Sequence, residues 1–522
     1  MSRSSSIGSI LLPLLIVACG GGEAPPAVGQ GGGTSASGGA TPGSGGTTPT
    51  SGGAAQQGGA NTSDGGATNG NGGASSSNGG SGSGGKADGG QANGGQTNGN
   101  GGRANGGATS ANGGATSANG GASVGGGSDA CGRMLGACTA PTVRVSDVTL
   151  PNAVVGYGQE GDTDPLPLAI AALPSGGSRI AWLGSDKKTV YIGELDCDDK
   201  LVGTPFSFPA IDLQDLYADA AGGVVLVTRE ATSGGTDNCG NGMLCGGTSS
   251  PCRGMYMIRF DNNGNVVWET QVTNLSDSLA GYQNGARFIW WYQHHGRLAF
   301  DGTNYAAYFG VAITVNNGSC VDIHEGDRMQ VVGPTGMKLT GHDSFEVGCS
   351  HAWTSRIVWD ARTNHFVMVC ATDNNCRIAR PNPYRTIAAG TCDGTLFGGD
   401  LVLSTTPGYW TAWSQGGAVR LQHFTDSGPD TSVASAGSSQ HPHLVPYGNG
   451  KMLLAYAMGS NMMTAQVRDA GATGDAVGST FSIAVNDHNY QAFKAYSDGS
   501  VAYPALGANS TSIKVARVMP CE

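Results

Sequence analysis

Gly176-Gly177-Ser178-Arg179-Ile180-Ala181-Trp182 reads as a tight turn running into a strand, and the phrase returns down the chain. Further copies are Gly222-Gly223-Val224-Val225-Leu226-Val227, Gly302-Thr303-Asn304-Tyr305-Ala306-Ala307-Tyr308 and Thr363-Asn364-His365-Phe366-Val367-Met368. Three more follow: Pro407-Gly408-Tyr409-Trp410-Thr411-Ala412-Trp413, Asn449-Gly450-Lys451-Met452-Leu453-Leu454-Ala455-Tyr456 and Asp498-Gly499-Ser500-Val501-Ala502-Tyr503. A second strand phrase trails each. It is clearest at Val190–Asp196, Met255–Gly264 and Met463–Asp469, and weaker near Arg328, Cys376, Val419 and Ile513. Between these phrases the chain alternates short apolar runs with Gly, Asn and Asp turns, and almost no 3.6-residue period outlasts two helical turns. The fold class is all-β, and an internal repeat decides it.

Seven such units, one holding a Cys-rich insertion near 232–253, resemble the blades of a seven-bladed β-propeller, each a four-stranded antiparallel sheet. Copies are degenerate enough that six or eight blades fit the same pattern, and a pair of β-sandwiches also yields many short strands. The final unit ends just after Ile513–Val518, one outer strand short. Val143-Arg144-Val145-Ser146-Asp147-Val148 is placed to supply it, which removes an exposed sheet edge and brings Cys521 near Cys131 or Cys138.

Upstream the texture is different. Residues 19–128 are mostly Gly, Ala, Ser, Thr and Asn, and Asn-Gly-Gly-Ala-Thr-Ser-Ala recurs near 105–122. Such a segment cannot bury a core and reads as a disordered tether; about 110 flexible residues have a typical span of about 55 Å. Residues 1–18 have the make-up of a signal peptide, with Arg3 ahead of a short apolar run. That run ends in Leu15-Ile16-Val17-Ala18-Cys19, which resembles the lipobox of bacterial lipoproteins. The resemblance implies that Cys19 becomes the lipidated first residue. Gly20 rather than Asp after it implies the outer membrane, so the membrane partner acts through lipid on Cys19 and the protein is exported, at the outer membrane or cell surface. The folded domain is 129–522.

The chain has 522 residues and a net charge of -11. Three acidic residues (Glu23, Asp64, Asp88) and three basic ones (Arg3, Lys86, Arg103) precede residue 129, so the whole deficit lies in the folded part. An acidic domain without a basic run argues against nucleic acid as a partner. Setting Cys19 aside, the remaining cysteines are Cys131, Cys138, Cys197, Cys239, Cys245, Cys252, Cys320, Cys349, Cys370, Cys376, Cys392 and Cys521. An even number in an exported chain reads as disulfides. Spacing suggests Cys370 with Cys376, two among Cys239, Cys245 and Cys252, and Cys320 with Cys349. No Cys-x-x-Cys occurs, which disfavours zinc and thioredoxin-like sites.

All histidines lie between 294 and 488. On the repeat register His294, His295, His351, His441, His443 and His488 fall on innermost strands or the loops leading into them, and His324-Glu325-Gly326-Asp327 falls before a third strand. All could converge at one channel mouth as a ligand site or, with their carboxylates, a divalent metal site. His441 and His443 share a strand face, and neither is expected to fill the core. Solvated side chains in a wet channel account for the same pattern.

Other motifs dissolve on inspection. His324-Glu325-x-Asp327 lacks a zincin's second His, and Gly348-Cys349-Ser350-His351 places Ser and His on opposite strand faces. Asp261-Asn262-Asn263-Gly264-Asn265 fits a hairpin turn better than a calcium loop, Gly156–Gly161 lacks the helix of a dinucleotide site, and Gly121–Gly125 lacks the strand and helix of a hydrolase elbow. Trp290, Trp291, Tyr292 and Trp353 are candidates for glycan or peptide recognition, whereas Trp410 and Trp413 read as packing. No catalytic residue is assigned. The sequence points to a surface-anchored lipoprotein whose propeller binds an extracellular glycan, peptide or protein. The alternatives are a metal-dependent envelope lyase or hydrolase with its His/Asp/Glu site at the channel mouth, and an adhesive display protein without a pocket.

Overall fold

A computed structural model describes residues 131–522, apart from 158–165, 231–252, 274–286, 289–295, 318–319, 342–344, 347–348, 350–351, 373–375, 394, 439–441, 460 and 489. The chain is a seven-bladed β-propeller, and every strand pairing is antiparallel. The innermost strands of successive blades touch all the way round, and that of blade 7 touches that of blade 1. The ring's innermost strands are Leu168–Ala172, Asp212–Asp219, the pair Arg287–Phe288 and Arg297–Phe300, Ala352–Asp360, Leu396–Leu403, His443–Tyr447 and Lys494–Ala495. Blade 3 interrupts both edges: two short segments share the inner side of Tyr305–Asn317, and two more share the outer side of Cys320–Val332.

The repeated turn-strand phrase is the second strand of every blade: Ser178–Leu183, Gly222–Glu230, Tyr305–Asn317, His365–Thr372, Tyr409–Gln415, Lys451–Ala457 and Val501–Leu506. The trailing phrase is the third strand. Neighbouring blades cover both faces of these strands, so Val224, Val225, Leu226 and Val227 are all fully buried and the run is continuously apolar rather than alternating. Outer strands meet solvent instead, as in Leu201–Pro209, and their sequence signal is correspondingly weak.

The ring closes at the rim as the sequence implies. Val143–Thr149 pairs antiparallel with Ser512–Val518 as the fourth strand of blade 7, and Cys138 is bonded to Cys521. Beside that disulfide the Gly136 N–H donates to the Pro520 carbonyl, and the Gly136 carbonyl accepts the Glu522 N–H. Just upstream, Cys131 is bonded to Cys197 at the turn between the third and fourth strands of blade 1, and Arg133 meets Asp498 at 3.1 Å.

Two expected pairings are corrected. Cys349 is bonded to Cys370, and Cys376 to Cys392. Cys370 and Cys376 lie close in sequence but on opposite faces of blade 4, Cys370 in the apolar layer shared with blade 3 and Cys376 in that shared with blade 5. Cys320 is disulfide-bonded, but not to Cys349. Cys239, Cys245 and Cys252 lie outside the described residues. The Asp261–Asn265 stretch is a hairpin turn, as expected: the Asp261 carboxylate accepts the backbone N–H groups of Asn263 and Asn265, and Gly264 sits at φ 82° with Phe206 packed against it.

Candidate functional site at the propeller axis

Six of the seven innermost strands carry a charged or ionisable side chain to the axis: Asp215, Arg297, Arg356, Asp400, His443 and Lys494, all buried. Bulges aim the two aspartates. The register of blade 2 slips between Leu213 and Asp215, and that of blade 5 between Gly398 and Leu401. A bulge lets a side chain leave the strict in-out alternation of a strand, which is how a carboxylate comes to sit beside the next blade. Asp215 Oδ2 accepts the backbone N–H of Leu298 in blade 3 at 2.9 Å, and Asp400 Oδ2 accepts that of Leu444 in blade 6 at 3.4 Å. Gly399 makes the second approach possible, since a Cβ there would collide with the carbonyl oxygen of Pro442.

His443 is held between two carboxylates. Its Nε2 lies 2.6 Å from Asp487 Oδ1, and its Nδ1 3.5 Å from Asp400 Oδ2. Burial alone would favour the neutral imidazole, but Asp487 and Asp400 outweigh it and push the pKa up to about 9. At neutral pH the group is a buried imidazolium. Asp400 also accepts from Arg356 Nε at 2.6 Å. Burial works to raise the Asp400 carboxyl, yet Arg356, His443 and Arg297 together hold it well below the usual carboxylate range.

Lys494 donates to Asp215 at 2.7 Å, a pair that joins blade 7 to blade 2. Burial drives the Lys494 pKa down, and Asp215 opposes it. Arg297 donates to the carbonyls of Gly296 at 3.0 Å and Tyr490 at 2.6 Å. Burial and then the like charge of Arg356 push its pKa down to about 10.

The chain between the outer strand of blade 6 and Lys494 packs into the same region. Asp487 meets His443, His488 stacks on Tyr157 with ring centroids 4.8 Å apart, and Gln491 accepts the Tyr157 hydroxyl at 3.0 Å. Tyr503 accepts the His488 N–H at 2.9 Å, and its ring meets that of His443 edge-on at 5.4 Å.

Of the histidines singled out from sequence, the structure brings His443 and His488 to this one region. His443 is core, not a solvated side chain, so the expectation that it does not fill the core is corrected. Its burial follows from its place at the first residue of an innermost strand, under the segment carrying Asp487. Asp327 lies elsewhere, fully buried within the third strand of blade 3 rather than ahead of it. There it accepts the Tyr308 hydroxyl and, at 2.5 Å, the backbone N–H of Cys349. His324 and Glu325 belong to the same strand, opposite Ile313 and Ala312. His294, His295, His351 and His441 lie outside the described residues, as do Trp290, Trp291 and Tyr292. Trp410 and Trp413 are buried packing, as read.

Among the described residues no group of three or more His, Cys, Asp or Glu side chains is arranged to hold a metal ion. His443 shows why nearby carboxylates do not make one: a protonated imidazole has no lone pair to offer. Sequence reasoning missed Asp215, Arg297, Arg356, Asp400, Asp487 and Lys494. Single charged residues inside otherwise apolar strands, such as Asp400 in Leu396–Leu403, were the available signal.

No protein-family model matches the chain, and no curated protein matches it. Among solved structures it is similar to a protein of unknown function from Dyadobacter fermentans, at 12% identity and a TM-score of 0.36, covering 73% of this chain and 100% of that one. It is also similar to the Cps50 (Swd1) β-propeller domain of Myceliophteria thermophila, at 10% identity and a TM-score of 0.35 over 72% and 99% of the two chains. A third is the α-L-arabinofuranosidase Arb93A of Fusarium graminearum, at 12% identity and a TM-score of 0.34 over 70% and 97%. Likenesses this distant carry no argument about ligand, partner or reaction.

Proposed function

We propose that the chain is an exported, lipid-anchored surface protein whose propeller binds an extracellular partner, a glycan, peptide or protein, rather than turning over a substrate. The observation that carries this reading is how the axial charges are used. Lys494 with Asp215, Arg356 with Asp400, and His443 with Asp487 satisfy one another inside the fold. A general acid or base has to face a reacting atom, and these groups face each other. Disulfides at Cys131–Cys197, Cys138–Cys521, Cys349–Cys370 and Cys376–Cys392 support an oxidising compartment and hence export. The lipobox-like stretch ending at Cys19 supports the anchor.

Two experiments test the two halves. The wild-type chain should partition into detergent and incorporate labelled fatty acid, and Cys19→Ser should lose both; unchanged partitioning of the variant removes the anchor. The oxidised protein on glycan and extracellular-protein arrays should bind saturably to one class. Failure across both arrays, alongside turnover of a glycan or ester panel, would replace the binding reading with an enzymatic one.

A further inference from the structure

We propose that the two disulfides of the N-terminal strap form a load-bearing anchor, through which tension in the tether enters blades 1 and 7 without passing along the closure strand Val143–Thr149. The proposal rests on the tethered, surface-anchored reading above. Residues 131–142 reach the propeller ahead of that strand and are pinned by two covalent bonds before it begins: Cys131 to Cys197 in blade 1, and Cys138 to Cys521 at the end of blade 7. Between the two bonds Arg133 donates to Asp498 of blade 7 at 3.1 Å and to the Gly176 carbonyl of blade 1 at 2.7 Å. Met134 and Leu135 are exposed, so this stretch is held by its pins and not by apolar packing.

Covalent topology decides the path. Cys131–Cys197 closes a loop spanning 66 residues and Cys138–Cys521 one spanning 383, and the closure strand lies downstream of both bridgeheads. A pull that enters at Cys131 and is resisted elsewhere in the ring crosses a sulfur bridge, and the chain from Cys138 to Cys197 stays slack. The bypass matters because an edge strand pulled away at its first residue loses its ladder one pair at a time, here from Val143 opposite Val518, and the ring would open at the seam. The receiving turn is braced as well. It carries Asp199, fully buried, which accepts Arg517 of blade 7 at 2.6 Å and Arg144 of the closure strand at 2.7 Å. Parting a buried carboxylate from its cations is unfavourable, so load arriving at Cys197 is shared by the two blades that meet at the seam.

The test pulls on the full oxidised chain, carrying Cys19→Ser, between a handle at its N-terminus and a click-reactive residue in place of the exposed Tyr384, across the ring in blade 4. The pull is applied directly, so its result does not depend on lipid at Cys19, and failure of the load path is distinct from failure of the anchor. Expected is extension of the tether with no further step until whole blades unfold. With Cys131→Ser and Cys197→Ser a strap step should come first, and the seven peptide units from Cys131 to Cys138 limit it to about 25 Å. Adding Cys138→Ser and Cys521→Ser should let the closure strand peel, with a first event at lower force than in the parent chain. Peeling in the parent, or the same first event in all three chains, overturns the proposal. If the variants do not fold, the parent is held at constant force while a phosphine reductant is admitted. A first step whose rate rises with reductant concentration supports the load path, and one indifferent to reductant overturns it.

Discussion

The ring is closed twice, at its rim and at its axis, by opposite means. At the rim, strand Val143–Thr149 zips onto Ser512–Val518 through a backbone ladder, with Cys138–Cys521 fastening the ends. At the axis, closure is made by side chains: a lysine reaching from blade 7 to blade 2, an imidazolium between Asp400 and Asp487, and aspartates capping backbone N–H groups of the next blade. The rim closure relies on groups that every residue carries and on one covalent bond, so it tolerates many sequences. The axial closure relies on ionised groups out of water, where each charge needs its partner and losing one strands the other.

The largest effect should therefore come from the axis. His443→Ala leaves Asp400 and Asp487 buried without their shared cation and should cost about 3–5 kcal/mol in denaturant unfolding of the oxidised chain. Indifference to this change would show that the axis is wetter than its burial indicates. The same pair makes stability pH-dependent with a definite sign. The His443 pKa is raised in the folded state to about 9, so its contribution is fully present below about pH 6.5 and is lost as pH rises through about 9. Unfolding free energy should fall across that window in the wild type and run flatter in His443→Gln.

Next in size is the rim's covalent fastening. Cys138→Ser with Cys521→Ser should lower stability by about 2–4 kcal/mol under non-reducing conditions, with the blade 7 ladder retained, as hydrogen exchange of Val515 and Ala516 would read. A collapse of that protection would mean that the disulfide, not the ladder, holds the ring shut. The smallest effect should be at a rim charge in solvent. Lys514 lies 3.4 Å from Asp147, which is largely exposed, and Lys514→Ala should change stability by no more than about 1 kcal/mol. A loss as large as that of His443→Ala would erase the distinction between the two closures.

Much of the rim was legible in the sequence. The second strands of all seven blades are the repeated phrase itself, because a strand buried on both faces must be apolar throughout. The missing outer strand was legible as well, because a sheet edge demands a partner and Val143–Val148 is spelled as a strand. The axis was not. Lys494 and Asp215 are 279 residues apart, and nothing local to either names the other. The histidines drew attention by their clustering, yet His443 acts as a structural cation and Asp327 as an acceptor between blades 3 and 4, since burial rather than residue type set their roles.

By itself the sequence determined that this chain is all-β and built on a repeated strand phrase, and it pointed to a ring of about seven units closed end to end, because strand burial and edge pairing act through periodic patterns a few residues long; the structure fixed the number at seven. Only the tertiary structure decided which cysteines join and which charges meet at the axis. Those outcomes depend on which face of a blade a side chain leaves and which distant strand the ring brings opposite it.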